Sequence, residues 1–93
     1  MERTICDAIR SRSIISFNYK GKGRRVEPHT LGYDSKGHLA LCGWQLSGGS
    51  GQDWRDFHLS GMSQLVITTE KFSGPRNGYK RDDKTMSRVL CQL

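Results

Sequence analysis

The residues of this chain best suited to chemistry are cations, histidines and aromatic side chains. An arginine side chain presents its donors as a planar fork that grips a phosphate at two points, and an aromatic face offers a surface on which a nucleobase stacks. Seven residues form the predicted ligand site on these grounds: Tyr19, Arg24, Arg25, His29, Trp44, Arg55 and His58. They predict the binding of nucleic acid or nucleotide phosphates, with single-stranded nucleic acid favoured.

Several of these residues also have a purely structural interpretation. Tyr19 suits a core position with its hydroxyl at the rim, and Trp44 suits packing at the edge of a sheet. The Arg24-Arg25 pair can simply flank a turn in water. Arg55 can pair with Glu27 as a cross-strand ion pair, which contributes little stability when it is exposed.

The histidines raise the question of catalysis, since two imidazoles can act as general acid and base in a nuclease or phosphodiesterase. Neither His29 nor His58 stands in a recognisable motif with a carboxylate, and no metal-ligand set accompanies them in the sequence. We therefore expect a non-enzymatic protein with no cofactor and no metal. A histidine can instead serve as a phosphate contact that switches near neutral pH.

Composition favours an anionic partner over a membrane location. Fifteen Lys and Arg against nine Asp and Glu give a net charge of +6, which suggests nucleic acid but can also serve solubility alone. No apolar run approaches the ~20 residues of a membrane span, and no signal-peptide core opens the chain, so we expect a cytoplasmic protein. Cys6, Cys42 and Cys91 are odd in number and widely spaced, which predicts three reduced, buried thiols.

The elements that position these residues are predicted to form one domain over 1–93, mainly β with one helix, in the α+β class. A helix in 1–13 is indicated by an apolar stripe at helical spacing, which consists of Ile5, Ala8 and Ile9. Alternating apolar residues between glycine turns predict five sequential antiparallel strands in 14–70, which suit a small, strongly curved β-barrel. Pro28, inside the second strand, indicates an edge position, a bulge or a bend.

The remaining segment, 71–93, is a polar and basic tail. Its apolar stripe predicts a short helix over Lys84–Gln92, and a strand over Arg88–Leu93 is the alternative. The cations of this tail either extend a nucleic-acid footprint or are solvated. Further upstream, Ser47–Gln52 is the stretch whose composition is most typical of a flexible loop.

Four motifs in order carry a resemblance to a known family. They are I-x-F-x-Y at 15–19, R-R-V-E-P at 24–28, R-x-F-x-L at 55–59 and M-x-x-L-x-x-T-x-x-x-F at 62–72. Together with the preceding helix, this order resembles the WYL domain of bacteria over about Thr4 to Pro75. The sequence differs from the family pattern at the naming tripeptide, which aligns with His38-Leu39-Ala40, and at two cations replaced by His58 and Gly61.

The resemblance implies a five-stranded Sm-like or SH3-like barrel preceded by a helix. It also implies a ligand-sensing module of transcription regulators, often found near phage-defence and CRISPR systems, that binds nucleic acids or nucleotides. Arg55 is favoured within the predicted site because it matches a motif position. The alternative is a protein-interaction or self-association module, in which the basic charge is incidental and the contact surface consists of Trp44, Trp54 and Phe72.

Overall fold

The fold is one helix packed on a six-stranded antiparallel sheet. The computed structural model describes residues 1–49 and 51–93, and the predicted Ser47–Gln52 loop contains Ser50, which lies outside the described residues. The elements are α1 (Glu2–Ser11), β1 (Ser13–Tyr19), β2 (Lys22–Asp34), β3 (Leu39–Ser47), β4 (Asp53–His58), a 3-10 turn (Leu59–Gly61), β5 (Met62–Lys71) and β6 (Met86–Gln92). The predicted α+β class and the N-terminal helix are confirmed.

Helix α1 packs against the sheet through its apolar stripe. The stripe residues Ile5, Ala8 and Ile9 are all buried. A helix of ten residues is marginal alone, so this burial stabilises it. The helix ends at Arg12, which adopts the left-handed conformation (φ 53°, ψ 47°) and donates its backbone N–H to the carbonyls of Ala8 and Ile9.

Strand β2 organises the sheet. The strands lie in the order β4-β3-β2-β1-β5. Strand β6 pairs with the same edge of β2 as β1 does, but with a later part of that edge. β1 pairs with Lys22 to Val26, and β6 pairs with Thr30 to Asp34. Pro28 thus lies in a central strand, where the register against β3 shifts between Pro28 and Thr30. The bulge predicted for Pro28 is confirmed, and the edge position is wrong.

The sheet is not closed into a barrel, which corrects the predicted barrel. In the described residues β4 and β5 are the outer strands, and no ladder joins them. The connection between them is the turn Leu59–Gly61, which crosses the end of the sheet with Leu59 buried in the core. Each of these two outer strands therefore keeps an open edge in the described residues.

The predicted C-terminal helix over Lys84–Gln92 is wrong, because Met86–Gln92 is strand β6. The second half of β2, beyond the residues that pair with β1, has an edge that β1 does not cover, and β6 pairs with this edge. Gly32 allows the close approach, since a Cβ at this position would overlap the carbonyl oxygen of Arg88. The alternative strand proposed for Arg88–Leu93 is close to the observed one.

Two of the three cysteines are bonded, which corrects the prediction of three reduced thiols. Cys6 of α1 and Cys91 of β6 form a disulfide with their Cα atoms 5.8 Å apart. The pairing follows from the position of β6, which lies against α1 once it joins β2. Cys42 is a free, half-buried thiol, and burial raises its pKa to about 12.

The two faces of the sheet are covered differently. One face packs against α1 and forms the core, which includes Ile15, Val26, Leu31, Leu41 and Phe57. The other face is covered by residues 72–85, called here the covering segment, which consists of turns and irregular chain. Phe72 and Tyr79 of this segment contact His29 at the bulge. Because side chains alternate along a strand, the same strands serve both the core and the covering segment.

Candidate functional site

The seven predicted site residues do not lie together in one place. Tyr19 and Arg24 lie at the β1–β2 turn, His29 and Trp44 lie under the covering segment, and the others are spread along the strands. Arg55 and His58 nevertheless each line a cavity formed by the described residues on the outer face of the sheet.

Tyr19 and Arg24 form a structural clamp. The Tyr19 ring packs edge-on against Phe57 with centroids 5.1 Å apart. Arg24 donates from Nη1 to Oε1 of Gln45 at 2.9 Å and from Nη2 to the Tyr19 carbonyl at 3.2 Å. Its guanidinium also lies 5.7 Å from the Tyr19 ring centroid. These contacts hold the turn to β3, so Tyr19 has the structural position expected for it, whereas Arg24 is half-buried and bonded instead of solvated.

Arg25 takes part in an ion pair across the sheet. Its Nη2 lies 2.7 Å from Oε1 of Glu70, on β5. The Glu70 side chain is exposed and that of Arg25 is half-buried, so water screens the pair in part and its contribution to stability is small.

His29 is a core residue with both ring nitrogens occupied. Its Nδ1 lies 2.7 Å from the Glu27 carbonyl, and its Nε2 accepts a hydrogen bond from the Arg76 backbone N–H at 3.1 Å. The ring packs against Trp54, with centroids 4.7 Å apart, and stacks on Phe72. A neutral imidazole that donates from Nδ1 and accepts at Nε2 satisfies this arrangement. His29 thus anchors the covering segment and is fully buried from solvent.

Stability should fall as the pH drops below about 6.5, because burial lowers the pKa of His29 from its ordinary value of 6.5. Below that pH the unfolded chain binds a proton at His29 that the folded chain does not. The free energy of unfolding therefore declines until the pH reaches the folded pKa, and His29 causes no further decline below it. Urea denaturation across this range measures the slope.

Two variants isolate this contribution. His29→Gln should flatten the slope between pH 6.5 and the folded pKa, while His38→Gln, at an exposed position, serves as the matched control. An undiminished slope in His29→Gln would assign the pH dependence to other groups.

The partner of buried Glu27 is Arg76, which corrects the predicted pairing with Arg55. Arg76 donates from Nε and Nη2 to the two Glu27 carboxylate oxygens at 2.8 and 3.0 Å, and this hydrogen bonding raises the pKa of Arg76. The Arg76 guanidinium also lies 5.4 Å from the Trp44 ring centroid. Trp44 is therefore covered on one face by a side chain of the covering segment and is not an open stacking platform.

A cavity of about 270 Å³ lies between the sheet and the covering segment. Its walls include two aromatic rings, two cations and two carboxylates, contributed by Trp54, Tyr79, Arg55, Lys80, Asp56 and Asp83. Arg55 donates to two acceptors of its own strand β4, namely Oδ2 of Asp53 at 3.3 Å and the Trp54 carbonyl at 3.4 Å. We call this space the aromatic cavity.

The aromatic cavity is lined by groups that are suited to binding. Cys42 also lines it, but a thiol with a pKa of about 12 is protonated at neutral pH and is a poor nucleophile. Aromatic walls bind flat apolar groups, and charged groups of both signs fix the orientation of a polar ligand.

A second cavity of about 320 Å³ opens beside the first and contains His58. His58 Nε2 lies 3.5 Å from Oδ2 of Asp34, and His38 Nδ1 lies 3.3 Å from the same oxygen. The pKa of Asp34 is lowered, chiefly by the hydrogen bond from the His38 backbone N–H. Sequence reasoning missed this cluster, because the residues are separated by a turn and by two strands.

The architecture is one helix on an antiparallel sheet, with a polar and aromatic cavity on the outer face of the sheet. The family model of the WYL domain matches residues 2–67, and the chain belongs to the WYL domain family. The predicted family is thus confirmed. WYL domains are regulatory, ligand-sensing domains and are not known as enzymes. No curated protein matches the chain, and no solved structure matches it.

The helices in the described residues fall short of the length and apolar character that a membrane-spanning helix requires.

The cavity residues that sequence reasoning did not include come mainly from the covering segment, namely Tyr79, Lys80 and Asp83. The mixture of cations with Tyr79 in the tail was the available signal, but it did not reveal that the tail folds over Trp54.

Proposed function

We propose that this domain senses a nucleotide, free or at a short single-stranded end, that binds in the aromatic cavity. The observation that carries the proposal is the convergence of Arg55 and Lys80 with the rings of Trp54 and Tyr79 around one space. A base stacked on an aromatic ring gains roughly 1–3 kcal/mol. The two cations are suited to contact the phosphate at the mouth of the cavity.

The carboxylates favour a nucleotide unit over a long polyanion. Asp56 and Asp83 lie in the same cavity, where they repel phosphate but accept hydrogen bonds from the amino groups of a base. The proposed ligand therefore places its base inside and its phosphate towards Arg55 and Lys80. The domain is proposed to act without catalysis in transcription or phage-defence regulation, as the family resemblance implies.

Replacing Arg55 by Ala should weaken nucleotide binding by about tenfold or more, since a charge-assisted hydrogen bond contributes roughly 1.5–3 kcal/mol. The measurement is quenching of tryptophan fluorescence with the common nucleoside mono- and triphosphates. Anisotropy with labelled single- and double-stranded oligonucleotides, at two salt concentrations, tests the longer ligands. Binding should weaken as salt rises, because phosphate contacts release counterions.

Matched controls separate a local effect from net charge. Arg3→Ala removes an exposed arginine from α1, and Lys22→Ala removes an exposed lysine from the β1–β2 turn, as the counterpart of Lys80→Ala. Both controls should bind as the wild type does. Equal losses in the controls and in the cavity variants would show a diffuse charge effect and contradict a site in the aromatic cavity.

A second function is favoured by the free edge of β5. Val66 and Ile67 of this strand are 55% and 38% exposed, and an open edge with apolar side chains can pair with another chain. The contact surface expected from the sequence is different, but its member Phe72 is buried against His29. If no nucleotide or oligonucleotide binds even at low salt, a protein partner or second copy at β5 becomes the leading function.

A further inference from the structure

The cluster of Asp34, His38 and His58 brings together three ligand-type side chains from separate parts of the chain. Asp34 ends β2, His38 lies in the turn before β3, and His58 ends β4. One ligand atom from each residue lies within 4.8 Å of the others. The imidazole rings of His38 and His58 lie 4.6 Å apart between centroids. Two neighbouring imidazoles stabilise each other little unless both bind a shared partner.

We propose that Asp34, His38 and His58 bind one divalent transition-metal ion of the Zn²⁺ type. In a tetrahedral site with metal–ligand bonds of about 2.0–2.1 Å, neighbouring ligand atoms are about 3.3 Å apart. The distances from Asp34 Oδ2 to His38 Nδ1 and to His58 Nε2 are 3.3 and 3.5 Å. Two edges of the ligand triangle therefore already have the required length.

The carboxylate is held ready for this role by the turn. Oδ1 of Asp34 accepts hydrogen bonds from the backbone N–H groups of Lys36 and His38, both at 2.9 Å. The Asp34 backbone N–H donates to the His38 carbonyl at 2.9 Å, which closes the turn. Oδ2 is thereby left facing both imidazoles. Such fixing of a ligand by neighbouring hydrogen bonds is typical of metal sites.

The ligand set favours particular ions. Two imidazoles and one carboxylate suit Zn²⁺, Co²⁺ and Ni²⁺, whereas Mg²⁺ and Ca²⁺ prefer oxygen ligands alone. Both histidine side chains are about half exposed, so the small movement that completes the third edge is not opposed by packing. The cluster faces the cavity of about 320 Å³, and a fourth coordination position there is open to water or to an external ligand.

The test is titration of the metal-free, tag-free protein with Zn²⁺ by calorimetry and with Co²⁺ by visible absorption. We expect one ion per chain. Affinity should fall at least tenfold in His38→Ala and in His58→Ala, because each removes one of three ligands. Both positions are exposed, so circular dichroism should show an intact fold in both variants.

Control variants define the specificity. Asp53→Asn removes an exposed carboxylate from the opposite end of β4, and Cys42→Ser removes the free thiol. Both should retain wild-type affinity. The proposal is overturned if no saturable binding occurs, if the His38→Ala/His58→Ala double variant binds as the wild type does, or if the stoichiometry is one ion per two chains. These outcomes are independent of nucleotide binding in the aromatic cavity.

Discussion

Opening the Cys6–Cys91 disulfide should lower the free energy of unfolding by about 4.5 kcal/mol, as expected for the chain entropy of so long a loop. The two cysteines are separated by 85 residues, so the bond restricts nearly the whole unfolded chain. A domain of this size has a total stability of about 5–15 kcal/mol. Reduction should therefore remove between about a third and nearly all of the stability of the domain.

Guanidinium denaturation with and without dithiothreitol measures this effect. The Cys6→Ser/Cys91→Ser double variant should match the reduced wild type and no longer respond to the reductant. Cys42→Ser is the control, because Cys42 is not bonded, and it should keep the full difference between the oxidised and reduced states. A difference below about 1 kcal/mol would mean that the reduced chain retains much of the same restriction.

Replacing Phe57 by Ala should destabilise the domain by about 3–5 kcal/mol, the usual cost of removing a buried aromatic ring. Phe57 is 1% exposed and contacts the rings of Phe17 and Tyr19 edge-on. It lies on outer strand β4 but packs against residues of β1, so it links strands that are not neighbours in the sheet. Thermal and urea denaturation give the change.

Two comparisons make the Phe57 result interpretable. Phe57→Leu keeps most of the apolar volume and should cost clearly less than Phe57→Ala. Val66→Ala, at an exposed position of β5, should remain within about 0.5 kcal/mol of the wild type. Similar losses in Phe57→Ala and Val66→Ala would contradict the position of Phe57 in the main core.

The elements that could be predicted from the sequence are those with local determinants. The stripe of Ile5, Ala8 and Ile9 is sufficient for α1, and the glycines of the first turn with alternating Ile15 and Phe17 are sufficient for the β1–β2 hairpin. In each case the residues that determine the element lie within it or next to it in the chain.

Strand β6 was predicted only as the alternative to a helix, because its determinant is distant. Met86–Gln92 contains an apolar pattern that is compatible with either a helix or a strand, and the choice is made by the free edge of β2 more than fifty residues earlier. The disulfide depends on this pairing, since Cys91 reaches Cys6 only when β6 lies beside α1. Barrel closure was wrongly expected because counting strands does not reveal whether the first and last ones meet.

The side chains of the candidate site also depend on contacts with residues that are distant in the sequence. Arg24 has the type required of a phosphate ligand, yet its guanidinium is engaged by Gln45 and the Tyr19 carbonyl. The partner of Glu27 proved to be Arg76, 49 residues away, because the covering segment crosses β2 at the bulge. Residue types indicate which chemistry is available, whereas long-range packing decides which side chains remain open to a ligand.

The covering segment lies beyond the part of the chain that matches the family. The family match ends at residue 67, so Trp54 and Arg55 come from the matched part, while Tyr79 and Lys80 come from beyond it. The two walls of the aromatic cavity are thus encoded by separate stretches of the gene. We expect substitutions of Tyr79 and Lys80 to change the proposed ligand preference while leaving the strands and core intact, as variable loops do on a constant scaffold.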